Sequence, residues 1–200
     1  MKMFHQKVEE IKYPVSYEPK KVENFDQDQS LILQKIGEFV YETDNIYLAT
    51  NIRKLWQYVE NSLPNFEIFL NTLKTFNQNK LLDISFLQEV IYSPVIVSPN
   101  LMMIYYKNFL KDFYEVLKSL VIEIQEKEND DSFKIAKNIK VKLVVINNIL
   151  DYLKQEGALE LMKYSGTPLP GGKSFIILKI NKEKFNLVKN NFFQNQNTAA

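Results

Sequence analysis

The chain contains no cysteine in 200 residues, which excludes disulfides, thiolate nucleophiles and the common cysteine-bound structural zinc sites together. Histidine is nearly absent too. The single one, His5, cannot by itself assemble a serine–histidine–aspartate relay or a two-histidine metal site. Arginine is reduced to Arg53 among 25 basic residues, so bidentate reading of guanine falls to lysine and asparagine. The abundance of those two residues fits an AT-rich coding bias. Apolar runs such as Leu143 to Ile146 and Phe175 to Leu178 fall far short of the roughly 20 residues that cross a bilayer. The opening MKMFHQKVEEIKY carries a glutamate pair where a secretory signal needs its apolar stretch. No membrane insertion and an intracellular location are therefore expected.

What is present points to a packed fold. Hydrophobic residues make up 46% and aromatics 13% of the chain, enough apolar surface for a core. Two small domains of about 80 to 100 residues fit the length and the pattern. The formal net charge of +1 gives no long-range steering toward nucleic acid or anionic lipid, so any such binding requires a local patch.

Residues 1–27, with Pro14, Pro19 and a polar NFDQDQ stretch, lack sustained periodicity and read as an extended arm. Beyond them Ile32, Ile36, Phe39 and Val40 recur at helical spacing, with Asp28 or Ser30 as N-cap. An extended segment at 46–48 leads to a second helix with the stripe Ile52, Leu55, Trp56 and Val59, ending near Asn61. Pro64 suits the first turn of a third helix carrying Phe66, Phe69, Leu70, Leu73 and Phe76. Residues 81–86 and 90–97 then read as strands. Helix, short strand, helix, helix, strand, strand is the element order of a winged helix-turn-helix.

Ser98 and Pro99 open the second half with a long helix of about 28 residues, striped by Phe109, Phe113, Leu117, Val121 and Ile124. After a short segment around 133–139, KVKLVVINNILDYLKQEG sets Val141, Val145, Ile149 and Leu153 on one helical face, with Ile146 and Leu150 beside them and Gly157 as C-cap. The β-like segments 158–164 and 174–180 flank GTPLPGG as a wing. A last helix is expected over 182–193.

The expected architecture is therefore mainly α with small β-hairpins (α+β). It consists of an extended arm over 1–27, a winged-helix-like module over 28–98, a second over 99–193 joined through the long helix, and a disordered tail over 194–200.

Motifs that suggest chemistry do not survive inspection. GTPLPGGKS at 166–174 is one residue too long for a phosphate loop, and the strand-like FIILKI follows where such a loop needs a helix. The pairs Glu9 with Glu10 and Asp130 with Asp131 read as solvated loop charge, without the burial that tunes catalytic carboxylates. Trp56, Phe66, Phe69, Phe76, Phe109 and Phe113 keep helical spacing and belong to the core before they serve as base-stacking platforms. No catalytic residue, cofactor or metal is expected.

In a DNA-reading winged helix the third helix enters the major groove. Here the second module would expose Asn147, Asn148, Asp151 and Lys154, with Lys137, Lys140 and Lys142 clustered before the helix and Lys173 on the wing. In the first module the corresponding residues are Asn65, Glu67, Asn71 and Lys74. These mixed faces favour protein contact over duplex reading. Lys137, Lys140, Lys142, Asn147, Asn148 and Lys173 are the candidate contacts for nucleic acid or a partner.

The segment VKLVVINNILDYLKQEGALEL followed by a wing resembles the C-terminal winged helix of the middle subunit of replication protein A. It also resembles the tandem winged-helix half of the Stn subunit of the telomeric CST complex. That resemblance implies a non-enzymatic, nuclear subunit in telomere maintenance or DNA replication. Its partners would be OB-fold proteins, telomerase or polymerase alpha-primase, with single-stranded DNA contacted indirectly. A second resemblance, in size and in the proline-containing arm, is to the two-winged-helix subunit of the ESCRT-II sorting complex, though KYPVSYEP does not reproduce its paired-proline signature; it implies a cytoplasmic location. The third reading is a winged-helix DNA-binding regulator. An adaptor predicts an exposed apolar groove and little free DNA affinity, a regulator predicts a lysine patch at 137–142 with Lys173, and a sorting subunit predicts sister-subunit contacts through its arm and first module.

Overall fold

The computed structural model describes residues 22–43, 50–63, 65–163 and 174–194. The arm up to residue 21, the 46–48 segment, Pro64, the 166–172 turn, Lys173 and the tail after 194 lie outside them. The described chain is mainly helical with small antiparallel sheets, an α+β arrangement.

The first module begins with α1 (Gln27–Thr43). Its cap is neither Asp28 nor Ser30. Asp26 Oδ1 accepts from the Gln29 N–H at 2.7 Å while Gln29 Oε1 accepts from the Asp26 N–H at 3.2 Å, a reciprocal capping box. Ser30 Oγ instead accepts from the Val22 N–H at 3.0 Å and donates to the Asp26 carbonyl at 2.7 Å, tying the preceding chain to the helix. Then come β1 (Thr50–Asn51), α2 (Ile52–Val59) capped by Asn51, a 3₁₀ turn (Glu60–Ser62), and α3 (Phe66–Gln78). Asn65 caps α3 by accepting from the Ile68 N–H at 3.0 Å, so position 64 precedes the helix rather than opening it.

Strands β2 (Leu82–Ile84) and β3 (Pro94–Val97) complete a sheet ordered β1-β3-β2. The register pairs Leu82 with Val97 and Ile84 with Val95. Alternation buries Val95 and Val97 and leaves Pro94 and Ile96 outward, as period-2 geometry requires. The strand expected over 90–97 is shorter, because Val90–Tyr92 forms a 3₁₀ turn.

The long linking helix is two helices, α4 (Pro99–Phe109) and α5 (Phe113–Gln125). Leu110 between them takes an extended conformation, φ −86° and ψ 114°, with its side chain buried. No proline or glycine marks this break. Across it Phe109 stacks on Tyr105 within α4, whereas Phe113 packs on Tyr106 and, from the far end of the described chain, on Phe192.

The second module continues with α6 (Ser132–Ile139), α7 (Leu143–Gln155), β4 (Leu159–Lys163), β5 (Phe175–Ile180) and α8 (Lys182–Gln194). An isolated antiparallel bridge from Asp131 to Ile176 puts a third strand position beside β5, so both modules share one topology. Asp131 is accordingly more than solvated loop charge. Its Oδ1 accepts from the Phe133 N–H at 2.8 Å and caps α6.

Helix α7 ends in a Schellman motif. The Ala158 N–H donates to the Leu153 carbonyl at 2.8 Å and the Gly157 N–H to Lys154 at 2.9 Å, with Gly157 at φ +70°. Because side chains are strained there, Gly157→Ala is expected to lower stability by about 1 kcal/mol, read as a lower midpoint in urea at unchanged slope.

One core runs through both modules. Helix α4 joins them, packing on α1 on one side and α7 on the other.

Candidate interaction surfaces

Helix α7 holds the place of a groove-reading third helix, yet every residue from Leu143 to Leu150 is buried. Asn147 is 0% exposed and Asn148 3%. The expectation that they line an exposed face is overturned. With LVVI and IL surrounding them, apolar residues occupy the whole circumference of this stretch, and α4 and α6 pack against the helix, so the asparagines point into protein. Asn148 Nδ2 donates to Tyr106 Oη at 3.1 Å and to the Val144 carbonyl at 2.9 Å, a buried amide with partners of the kind burial demands.

Lys142, at the α7 N-cap position, is also committed. Its Nζ donates to the Tyr41 carbonyl at 3.1 Å and sits 4.3 Å from the centre of the Tyr41 ring, a cation–π contact that joins α7 to α1. Lys137 and Lys140 are exposed, Lys140 in the left-handed conformation that ends α6, φ 56°. Lys173 lies outside the described residues. Of the six candidate contacts the described surface thus keeps two, neighbours at the end of one short helix.

Tyr105 and Tyr106 of α4 are fully buried between the modules. Burial, reinforced by the nearby Glu38 carboxylate, pushes the Tyr105 phenol well above its ordinary range. It remains a neutral core group.

In module 1, Asn65, Glu67, Asn71 and Lys74 are exposed on α3. One acid and one base leave that face without net charge, and Asn65 is already used as a cap. Phe69, Phe76, Phe109 and Phe113 are buried, and Trp56 and Phe66 pack against the core in an edge-to-face pair with centroids 5.3 Å apart. The aromatics are core residues, as their spacing indicates.

A cleft of about 400 Å³ separates the β2–β3 hairpin from the C-terminal half of α7 and is lined by Lys80, Asp83, Ile96, Asp151 and Gln155 among others. Burial raises the Asp151 carboxyl above its ordinary value against the opposing pull of Lys154 and Lys163. A raised folded-state pKa means that the native state holds this proton more tightly than the unfolded state does. The ionised group therefore opposes folding above the folded pKa, and the penalty vanishes below the unfolded value of about 3.9. Asp151→Asn is expected to raise the melting temperature at neutral pH, with the gain shrinking as pH falls through the folded pKa.

Two features were not read from sequence. Glu123, 2% exposed on α5, accepts from Lys127 Nζ at 2.6 Å, Asn138 Nδ2 at 2.8 Å and Asn129 Nδ2 at 3.2 Å. Its spacing to Lys127 was the only local signal, since Asn138 arrives from α6. The second is the hairpin of β2 and β3 in module 1, with the segment between its strands. Phe86, Leu87, Ile91, Tyr92 and Ile96 are between 38% and 50% exposed, half of the large apolar side chains that stand exposed among the described residues. The run FLQEVIY signalled it, but its apolar content reads equally as strand interior.

Among the described residues no group of three or more histidine, aspartate or glutamate side chains is placed to hold a metal ion, and no helix is long and apolar enough to cross a membrane. Comparison with protein-family models, with curated proteins and with solved structures returned no match.

Proposed function

We propose that this chain is a non-catalytic adaptor, a tandem winged-helix subunit that joins other proteins in an assembly. The observation that carries the reading is the burial of Asn147 and Asn148 in α7. Packed against α4 and α6, this helix is buried on every side from Leu143 to Leu150 and exposes only its last turn, with Lys154 and Gln155, so its N-terminal half has no free face to lay in a major groove, and undocking it would break the Asn148–Tyr106 and Lys142–Tyr41 contacts. The exposed apolar side chains of the β2–β3 hairpin and the segment between its strands favour the same reading, because exposed apolar surface beyond scattered single residues marks protein contacts.

Within that class we favour a nuclear assembly of telomere maintenance or DNA replication, on the element order of the two modules and the sequence pattern of α7 and β4. Affinity purification of the tagged chain from its native cell, with mass spectrometry, tests the assignment. Stoichiometric OB-fold proteins, telomerase or polymerase alpha-primase are the expected result. Sorting-complex subunits would move the adaptor to endosomes, and a chain that purifies alone would overturn the adaptor reading.

A further inference from the structure

We infer that the cleft between the β2–β3 hairpin and the C-terminal half of α7 binds a guanidinium group, with Asn148 and Asp151 as its acceptors. The inference goes beyond the adaptor reading and does not depend on it.

The cleft is lined by a buried polar atom that the fold leaves unpaired. Asn148, 3% exposed, lines it and commits its amide nitrogen inside the protein, to Tyr106 Oη at 3.1 Å and to the Val144 carbonyl at 2.9 Å. A carbonyl accepts and never donates, so Val144 fixes which end of the amide is nitrogen. The other end, Oδ1, accepts no hydrogen bond among the described residues, and it is not sealed from solvent. An amide oxygen so placed calls for a donor, and the cleft is the side from which one can come.

Asp151 stands one turn further along the same helix. At i, i+3 and i+7, Asn148, Asp151 and Gln155 share one face of α7, and all three line the cleft. The half-buried Asp151 carboxylate has no hydrogen bond and no ion pair among the described residues; Lys154 and Lys163 act on it only through longer-range charge. Its burial without a partner opposes folding, as its raised pKa records. A group retained in a cleft against stability is characteristic of a ligand site.

Charge and shape select the ligand. Two carboxylates, Asp83 and Asp151, and one ammonium, Lys80, line the cleft, and Lys80 forms an ion pair with neither. One negative charge is therefore in excess. Lys80 and Asp83 are exposed, whereas the more buried groups, Asn148 Oδ1 and the Asp151 carboxylate, are acceptors. The ligand has to bring donors and a positive charge. Helical rise sets Asn148 and Asp151 about 4.5 Å apart along the axis, and the coplanar donors of a guanidinium serve two such acceptors at once. The hairpin side contributes the buried Leu82 and Val97, a surface suited to a flat group more weakly hydrated than an ammonium. A volume of about 400 Å³ admits either a free small molecule or the arginine side chain of a partner.

The test titrates the full, ¹⁵N-labelled chain with methylguanidinium and with methylurea, its uncharged counterpart of similar shape, and follows backbone and side-chain amide signals. Methylguanidinium should shift the Asn148 side-chain amide and the backbone amides of Asp151 and Val97 with a Kd on the order of 1 mM. Methylurea should bind roughly tenfold more weakly. Asp151→Asn, expected to be more stable than the parent at neutral pH, should weaken methylguanidinium roughly tenfold, a loss that unfolding does not explain. Lys80→Gln should strengthen it roughly threefold, because a like charge leaves the cleft. No saturable shift at the cleft, equal affinity for methylurea, or parental affinity in Asp151→Asn overturns the proposal. Arginine blocked at both termini then identifies the source. If it binds at least as tightly as methylguanidinium, the group is a partner's arginine side chain; if it is excluded while methylguanidinium binds, the group belongs to a free small molecule. The adaptor reading is decided separately, since it rests on the burial of α7 from Leu143 to Leu150.

Discussion

Replacing Gly37 with alanine lowers the stability of this protein by about 3 kcal/mol, the upper end of what forcing atoms into a packed core produces. Ordinary helix chemistry gives the opposite sign, because glycine inside a helix is worse than alanine by roughly 0.5–1 kcal/mol. The reason lies across the interface. A Cβ at position 37 would overlap the Tyr105 ring and stand 2.8 Å from the Tyr105 Cβ, and Tyr105 is held in turn by Phe109, its ring 5.6 Å away. The crossing of α1 and α4 depends on the missing side chain. Equilibrium unfolding in urea reads the effect directly, and in a Tyr105→Leu background the penalty should shrink by more than about 0.5 kcal/mol, the signature of coupled neighbours. An alanine variant as stable as the parent would mean that the two helices do not cross as described.

Glu123→Ala is expected to destabilise by about 2 kcal/mol, the scale of losing charge-assisted bonds at a buried acceptor. Burial alone would raise this carboxyl, and the hydrogen bonds from Lys127, Asn138 and Asn129, with the Lys127 charge, outweigh it, so its pKa lies below the ordinary value. The sign follows from linkage. A depressed folded-state pKa contributes stability in full above the unfolded value of about 4.3, and that contribution is lost as pH falls through the folded pKa. Stability measured from neutral to acidic pH should therefore show a steep acid limb in the parent protein and a flatter one in Glu123→Gln. Lys127 is largely exposed, so Lys127→Ala should be far milder than Glu123→Ala.

The helices were legible where one stripe faces one core. Ile32, Ile36 and Val40, or Phe69, Leu73 and Phe76, recur at helical spacing and are buried, because each helix of module 1 meets its core along a single line. The Gly157 stop was legible for the same local reason. The break after Phe109 was not, since Phe109 and Phe113 keep i, i+4 spacing straight through it and no proline or glycine stands between them. The most consequential misreading concerns Asn147 and Asn148. Polar residues on an amphipathic helix normally mark its solvent side, and only α4, some forty residues earlier in the chain, supplies the buried Tyr106 hydroxyl that holds Asn148 inside. Lys142 illustrates the same limit, since Tyr41 lies in the other module. Contacts between modules leave no periodic trace in either one.

That closure of α7 is the central claim, and duplex DNA binding by the full chain tests it most directly. Titration of labelled duplexes of unrelated sequence at physiological salt should give only weak, sequence-independent binding, no tighter than about 10⁻⁶ M, and Lys154→Ala on the exposed rim of α7 should leave it unchanged. Sequence-specific binding at about 10⁻⁸ M or tighter, lost in Lys154→Ala, would require α7 to lie in a groove and would contradict the account.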